Sequence, residues 1–166
     1  DEDVARSGYS TDFKMSPPLR SAEDVAACRA ALADGTIDAI ATDHAPHSPV
    51  EKEVEFDAAS NGVIGLETAF PVCLALVREG ALSERRLVEA MTSGPSAAFG
   101  LPGGTLAPGA VADLAVFDPA AEWTLDPERL RSRSRNTPWK GKRLVGRCSM
   151  TIVGGRIVHE ESKVQA

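Results

Sequence analysis

Histidine, cysteine and aromatic side chains are all scarce in this chain, and each shortage excludes something. Among 166 residues three are histidine and three cysteine, and aromatics make up 5%. Cys28, Cys73 and Cys148 are odd in number and far apart, with no C-x-x-C pair, so neither a disulfide framework nor a thiolate zinc site fits them. Cys28 and Cys73 fall at apolar helical positions and are expected as small core residues in a reducing, cytoplasmic compartment. No apolar run approaches the roughly 20 residues that span a bilayer, so a soluble protein without a membrane partner is expected. Basic residues are also in deficit, 18 Lys and Arg against 24 Asp and Glu, which argues against nucleic acid as a partner. The one basic cluster, Arg129 to Arg135, reads as a solvated loop face. There is no internal repeat, no G-x-G-x-x-G and no phosphate-binding loop. The chain opens Asp1-Glu2-Asp3-Val4 without an initiator Met or a targeting pattern, and is expected to be part of a larger protein.

What is present is an α/β pattern built from small residues, 43% hydrophobic. Phe13-Lys14-Met15 is a short strand candidate stopped by Ser16-Pro17-Pro18. Ser21 is a helix N-cap, with Glu23 and Asp24 in the first turn near the positive end of the dipole. Val25, Cys28, Ala31 and Leu32 recur at helical spacing until Gly35. Thr36 to Ile40 then reads as a short buried strand, giving strand, helix, strand within about 30 residues, the footprint of one βα unit. After His47 comes an acidic loop of nearly twenty residues that ends at Ser60-Asn61-Gly62. Leu66 to Glu79 is a helix that carries Pro71 and ends at Gly80. Ser83 caps another, with Leu87, Val88 and Met91 on one face, and Pro95 to Phe99 forms a helical turn. From Gly100 to Gly109 the composition turns to glycine and proline, and beyond it the periods become strand-like. Asp113 to Phe117 is one strand, and Met150 to Val153 with Arg156 to Val158 forms a hairpin about Gly154-Gly155. A boundary therefore falls near residue 100.

The stretch richest in chemistry is Ala41-Thr42-Asp43-His44-Ala45-Pro46-His47, at the exit of the strand candidate 36–40. In barrel enzymes that end of the sheet carries the reacting groups. An Asp there can bind a divalent metal or take a proton, and a nearby His can hold an anionic or carbonyl group. The bland alternative is a loop with incidental polar residues.

Taken with Phe13-Lys14-Met15-Ser16-Pro17-Pro18-Leu19-Arg20, Gly62-Val63-Ile64-Gly65-Leu66-Glu67-Thr68 and Asn136-Thr137-Pro138-Trp139-Lys140-Gly141, that segment resembles the dihydroorotases of the amidohydrolase superfamily, in their longer bacterial form. The pieces occur in the family's order and cover nearly the whole chain. The resemblance implies the C-terminal part of a metal-dependent (β/α)8 TIM barrel, followed by part of a small β-sandwich. Residues 1–100 would be the last βα units of the barrel and residues 101–166 the C-terminal part of the sandwich. The activity implied is zinc-dependent, reversible cyclisation of N-carbamoyl-aspartate to dihydroorotate, in pyrimidine synthesis.

By the same resemblance Asp43 is metal ligand and catalytic acid–base, and His47 holds the substrate carboxylate. The backbone at Asn61 and Gly62 closes over the pyrimidine ring. Ser16 stands where many members have a substrate-holding Asn, and its shorter arm leaves room for a water. His44 reads as a residue behind the metal shell rather than a ligand. His159, in the terminal hairpin, reads as a surface strand residue. The family's other metal ligands and its substrate-binding arginine match nothing in this chain, so one or two zinc ions would take most ligands from a missing N-terminal part, and these 166 residues alone would be inactive. Candidate partners are that N-terminal part, the small-molecule substrate, a second copy in a homodimer, or a carbamoyltransferase. Two other readings stay open at this stage: a non-catalytic subunit supporting a carbamoyltransferase, and a related cyclic amidase such as allantoinase or hydantoinase.

Overall fold

Caps and breakers set the helix boundaries. In a computed structural model that describes residues 1–161, a short helix α1 covers Glu2–Arg6 and α2 covers Ala22–Asp34. The Ser21 hydroxyl accepts from the Asp24 amide at 3.2 Å, which satisfies one of the orphan donors of the α2 first turn. The Asp24 carboxyl is held below its ordinary range, first by the Ser21 hydrogen bond and then by Arg20. Gly35 follows α2 at φ +90, a value that L side chains avoid. Helix α4 covers Ala69–Arg78, α5 Glu84–Met91 and α6 Ser93–Phe99, the α5 N-cap being the Ser83 hydroxyl, which accepts from the Arg86 amide. Pro71 sits buried in the first turn of α4, where its missing N–H has no intrahelical acceptor to lose.

Several expectations are corrected. Phe13-Lys14-Met15 is not a strand: Thr11–Phe13 is a single 3-10 turn, and only the extended Lys14 offers its carbonyl, to the Gly62 amide at 2.8 Å. Thr36 to Ile40 is irregular, with Ile37, Ala39 and Ile40 half-buried and Thr36 and Asp38 exposed. A strand is a pairing rather than a local preference, and among the described residues the ladder is replaced by one bond, from the Ile40 amide to the Ala90 carbonyl at 2.9 Å. The long loop after His47 contains a helical turn, α3 (Pro49–Lys52), with Pro49 at its start. Cys28 is exposed rather than core, and Val88 is 55% exposed, so each helix buries a narrower stripe than its sequence suggests.

The chain divides into two compact units that interleave along the sequence. The first comprises Asp1–Ala31, Ala41–Ala69 and Thr124–Leu144. Its buried residues include Ala59, Val63, Ile64 and Leu125, together with the polar Lys52, Thr68, Asn136 and Thr137. The second comprises Leu32–Ile40, Phe70–Trp123 and the chain from Val145 onward. Its core is Leu32, Leu74, Leu82, Leu87 and Ala90, with Ile37, Ile40, Phe70 and Met91 packed around them. Cys73 also lies against this core, and burial pushes its thiol pKa up. Arg86 donates from Nε to the Leu32 carbonyl at 2.8 Å and from a terminal nitrogen to that of Ile37, tying the segment before Asp43 to α5.

The strands among the described residues are β1 (Leu114–Thr124), β2 (Arg143–Val153) and β3 (Arg156–Glu160), hydrogen-bonded in that order. β2 and β3 are antiparallel, with Val153 opposite Arg156 and both Gly154 and Gly155 at positive φ, the turn anticipated from the Gly-Gly pair. A Cβ on Gly146 of β2 would lie 2.7 Å from Leu74 and 3.0 Å from Phe70, so α4 packs closely there because that residue has no side chain. Phe70 stacks on Phe117 of β1 with ring centroids 3.9 Å apart. Among the described residues no helix is long and apolar enough to cross a membrane.

Candidate functional site

Every residue singled out in the sequence as a site candidate lies in the first unit. Asp43 has φ 45, one of two non-glycine residues in the left-handed region among those described. Asp tolerates that region better than most residues, yet its occupation costs energy and is worth explaining where it occurs. The Asp43 side chain is exposed, and its carboxylate accepts no hydrogen bond and forms no ion pair with another described residue. A strained backbone thus presents a carboxylate with all its lone pairs open.

His44 faces the other way. Its Nδ1 lies 3.0 Å from the Gly65 amide and 3.4 Å from that of Leu66, so Nδ1 is an acceptor and the proton of the neutral ring is on Nε2. In that tautomer the Nδ1 lone pair is already committed to the backbone. Gly65 itself sits tightly under this segment, a Cβ there lying 3.0 Å from the Thr42 carbonyl.

His47 is half-buried and bridges two pieces of the loop. Its Nε2 is 2.8 Å from the carbonyl oxygen of Asn61 and its Nδ1 3.4 Å from Glu51. The first contact requires Nε2 to carry a proton. Glu51 also accepts from the Ser48 hydroxyl at 2.7 Å and the Ser48 amide at 2.8 Å. The Ser48 hydroxyl chiefly, then its amide and His47, hold the Glu51 carboxyl down at about 2. This capping box at the start of α3 fixes the loop next to His47.

Gly62 is the meeting point of the segment. Its φ is +102, and an added Cβ would lie 2.6 Å from the Ala45 Cβ, so only glycine fits. Its amide donates to the Lys14 carbonyl, and its own carbonyl accepts from Lys52 Nζ at 3.1 Å and Asn136 Nδ2 at 3.2 Å. Lys52 is 5% exposed and also donates to the Ser60 carbonyl at 2.8 Å; burial pushes its ammonium below the ordinary lysine range. Lys14 Nζ in turn holds the carbonyls of Asp57 and Ala59, each at 2.7 Å.

The structure therefore joins His47, Asn61 and Gly62 in one hydrogen-bonded group, on the same short segment as Asp43 and His44. Ser16 is exposed, two residues beyond Lys14, and no bond links its side chain to the others. Lys14, Lys52 and Asn136 were not anticipated as site residues. Asn136 stood inside a recognised motif without a role, and Lys52 lies in a run of alternating charges that reads as solvated surface.

For a bound metal the donor set is incomplete. Among the described residues no three His, Cys, Asp or Glu side chains cluster as a metal site would require. Asp43 suits one ligand position, being exposed and uncommitted. His44 has its Nδ1 engaged by the backbone and His47 both of its ring nitrogens in contacts, and His159 lies on β3.

A dihydroorotase of Anaeromyxobacter dehalogenans is 78% identical over 163 residues, which is 98% of this chain and 38% of that protein. A dihydroorotase of Pelobacter propionicus is 55% identical over 157 residues, covering 95% of this chain and 37% of the relative. The chain thus spans little more than a third of the length of these curated relatives. Among solved structures, an L-hydantoinase from Arthrobacter aurescens matches with a TM-score of 0.87 at 35% identity, over 99% of this chain and 38% of that one. A D-hydantoinase from Thermus sp. matches with a TM-score of 0.82 at 30% identity, over 92% and 34%. The profile of the amidohydrolase family covers residues 10–158. This chain belongs to the amidohydrolase family.

Proposed function

We propose that the complete protein carrying this chain is a dihydroorotase, interconverting N-carbamoyl-aspartate and dihydroorotate. The observation that carries the reading is the grouping of His47 with Asn61 and Gly62, on the same short segment as the open carboxylate of Asp43. It is supported by 78% identity to a dihydroorotase across nearly the whole chain. In this reading residues 1–100 end the barrel, residues 101–166 belong to the flanking β-sandwich, and the first part of the protein lies outside this chain. A homodimer or a carbamoyltransferase complex would be its setting, in the cytoplasm.

Asp43 would hold a zinc ion as one of its ligands, and the ion would supply Lewis acidity and lower the pKa of a bound water to about 7. Asp43 takes a proton from the attacking water and hands it to the amide nitrogen that leaves when the ring opens; in the closing direction it moves the same proton back. An otherwise unpartnered carboxylate suits a group whose partners must change during the reaction. His47 grips the substrate carboxylate. The Nε2 proton that now satisfies the Asn61 carbonyl is the one that a carboxylate would accept, with a charge-assisted bond in place of a neutral one. The backbone at Asn61 and Gly62 lies against the ring, and Ser16 contributes a hydroxyl through a water.

A second reading, a hydantoinase-like cyclic amidase, is favoured by the likeness to the Arthrobacter L-hydantoinase. The same acid–base carboxylate would serve either ring, but a hydantoin ring carries no carboxylate for His47 to hold. The test is turnover of dihydroorotate, hydantoin and allantoin by the complete purified protein. Dihydroorotate as the preferred substrate supports the first reading, and preference for a ring without a carboxylate overturns it. Absence of turnover on all three, with metal bound, would make this a non-catalytic subunit.

A further inference from the structure

Asn136 has no part in the proposed chemistry, yet it touches both the segment that carries Asp43 and His47 and the one that carries Asn61 and Gly62. It is 4% exposed. Its Nδ2 donates to the Ala45 carbonyl at 2.9 Å and to the Gly62 carbonyl at 3.2 Å, while its Oδ1 accepts from the His47 amide at 3.3 Å. Its own carbonyl accepts from the Ile64 amide at 3.0 Å. Two carbonyls on one side and an N–H on the other fix which end of the amide is nitrogen, so the side chain can sit in only one orientation. The partners of its side chain are 74 to 91 residues away in sequence. Besides Asn136, the Asp43–His47 segment and the Asn61–Ile64 strip are tied by the bond from the Ala45 amide to the Val63 carbonyl at 2.9 Å and by the contact of His47 Nε2 with the Asn61 carbonyl at 2.8 Å.

We infer that Asn136 is a positioning residue: its amide sets the separation and register of the His47 and Gly62 backbones, and through them the aim of the His47 ring at the substrate carboxylate. The role rests on the proposed function for its catalytic readout, while the geometry stands without it. The side chain is matched to the task, because a buried polar network specifies one arrangement only when every member is satisfied. Asn136→Asp is the sharp variant. It keeps the shape and the acceptor for the His47 amide, but turns a carboxyl oxygen toward the Ala45 and Gly62 carbonyls, where repulsion replaces attraction.

The experiment measures dihydroorotate kinetics and bound metal in the complete protein for Asn136→Asp, alone and combined with His47→Ala. A positioning role acting through His47 predicts KM raised about tenfold, the scale of one lost bond to a charged group, with kcat within about threefold and metal retained. In the His47→Ala background the same change should alter KM less than about twofold. An equal factor in both backgrounds, an unchanged KM, or loss of metal would overturn the role. Amide hydrogen exchange of the same variant gives a readout independent of substrate. Faster exchange confined to the Ala45, Gly62 and Ile64 amides supports positioning, and uniform acceleration reaching α5 overturns it. If Asn136→Asp does not fold, Asn136→Ser, which retains a shorter donor and acceptor, carries the same measurements. A wild-type protein inert toward dihydroorotate would overturn the proposed function instead, and the exchange pattern would still decide the role of Asn136.

Discussion

The imidazole Nε2 of His47 lies 2.8 Å from the carbonyl oxygen of Asn61, so the residue proposed to grip the substrate already holds the loop proposed to cover it. That contact joins two positions fourteen residues apart and turns a string of motif residues into one surface. It also sets a competition, because a substrate carboxylate must take the proton that Asn61 now receives.

His47→Ala should therefore weaken substrate binding without emptying the metal site. A charge-assisted hydrogen bond is worth about 1.5–3 kcal/mol, so kcat/KM for dihydroorotate should fall roughly 10- to 150-fold. Steady-state kinetics with metal analysis on the same samples checks this. Loss of metal with unchanged KM would move His47 into the metal shell.

Much of the fold and the candidate site was legible in the sequence, and the misses share a cause. Ser21 and Ser83 as caps, Gly35 and Gly80 as stops and Gly154-Gly155 as a turn are local signals with local physics, and each acts where it was expected. Thr36 to Ile40 and Phe13 to Met15 were expected as strands, but a strand depends on neighbours that no local pattern can supply. The helical turn at Pro49–Lys52 was visible as Ser48-Pro49-Val50-Glu51, a capping signature masked by the acidic run around it. In the candidate site, Asp43, His47 and Gly62 stood out through their motifs and the family resemblance those motifs carry. Asn136 did not, because its partners are brought to it by tertiary structure alone.

The Glu51 carboxyl gives a pH signature. Its pKa is lowered in the folded chain to about 2, from an ordinary 4.5. A depressed carboxylate stabilises the fold fully above its unfolded pKa, and that contribution is lost as pH falls toward the folded one. The window is therefore about pH 4.5 down to 2. Glu51→Gln should be less stable than the parent at pH 6, and the gap in melting temperature should close as pH falls through that window. A gap that stays constant between pH 6 and 3 would contradict the capping role.

Gly62→Ala should be strongly destabilising for its size. The new methyl would stand 2.6 Å from the Ala45 Cβ, at a φ of +102 that alanine avoids. The left-handed penalty alone is about 1–2 kcal/mol, and the displacement of Ala45 adds to it. Thermal melts of the complete protein, together with KM for dihydroorotate, should both worsen. A variant with unchanged melting temperature and KM would show that the close approach of Gly62 to Ala45 is dispensable.

Zinc affinity should separate this chain from the complete protein. With Asp43 as the one uncommitted ligand of the described site, the 166-residue chain should retain little zinc after dialysis, while the complete protein keeps its metal. Elemental analysis of both decides it. Stoichiometric zinc in the isolated chain would mean that a ligand set forms within it.

The most direct test of the account is Asp43→Ala in the complete protein, assayed for dihydroorotate hydrolysis and for the reverse cyclisation. Positioned proton transfer contributes about 10²- to 10⁴-fold, so both directions should fall by at least about a hundredfold while the circular dichroism spectrum and melting behaviour stay close to wild type. A folded Asp43→Ala variant that keeps more than about a tenth of wild-type turnover in either direction would contradict the assignment of Asp43 as the proton carrier, and with it the central claim.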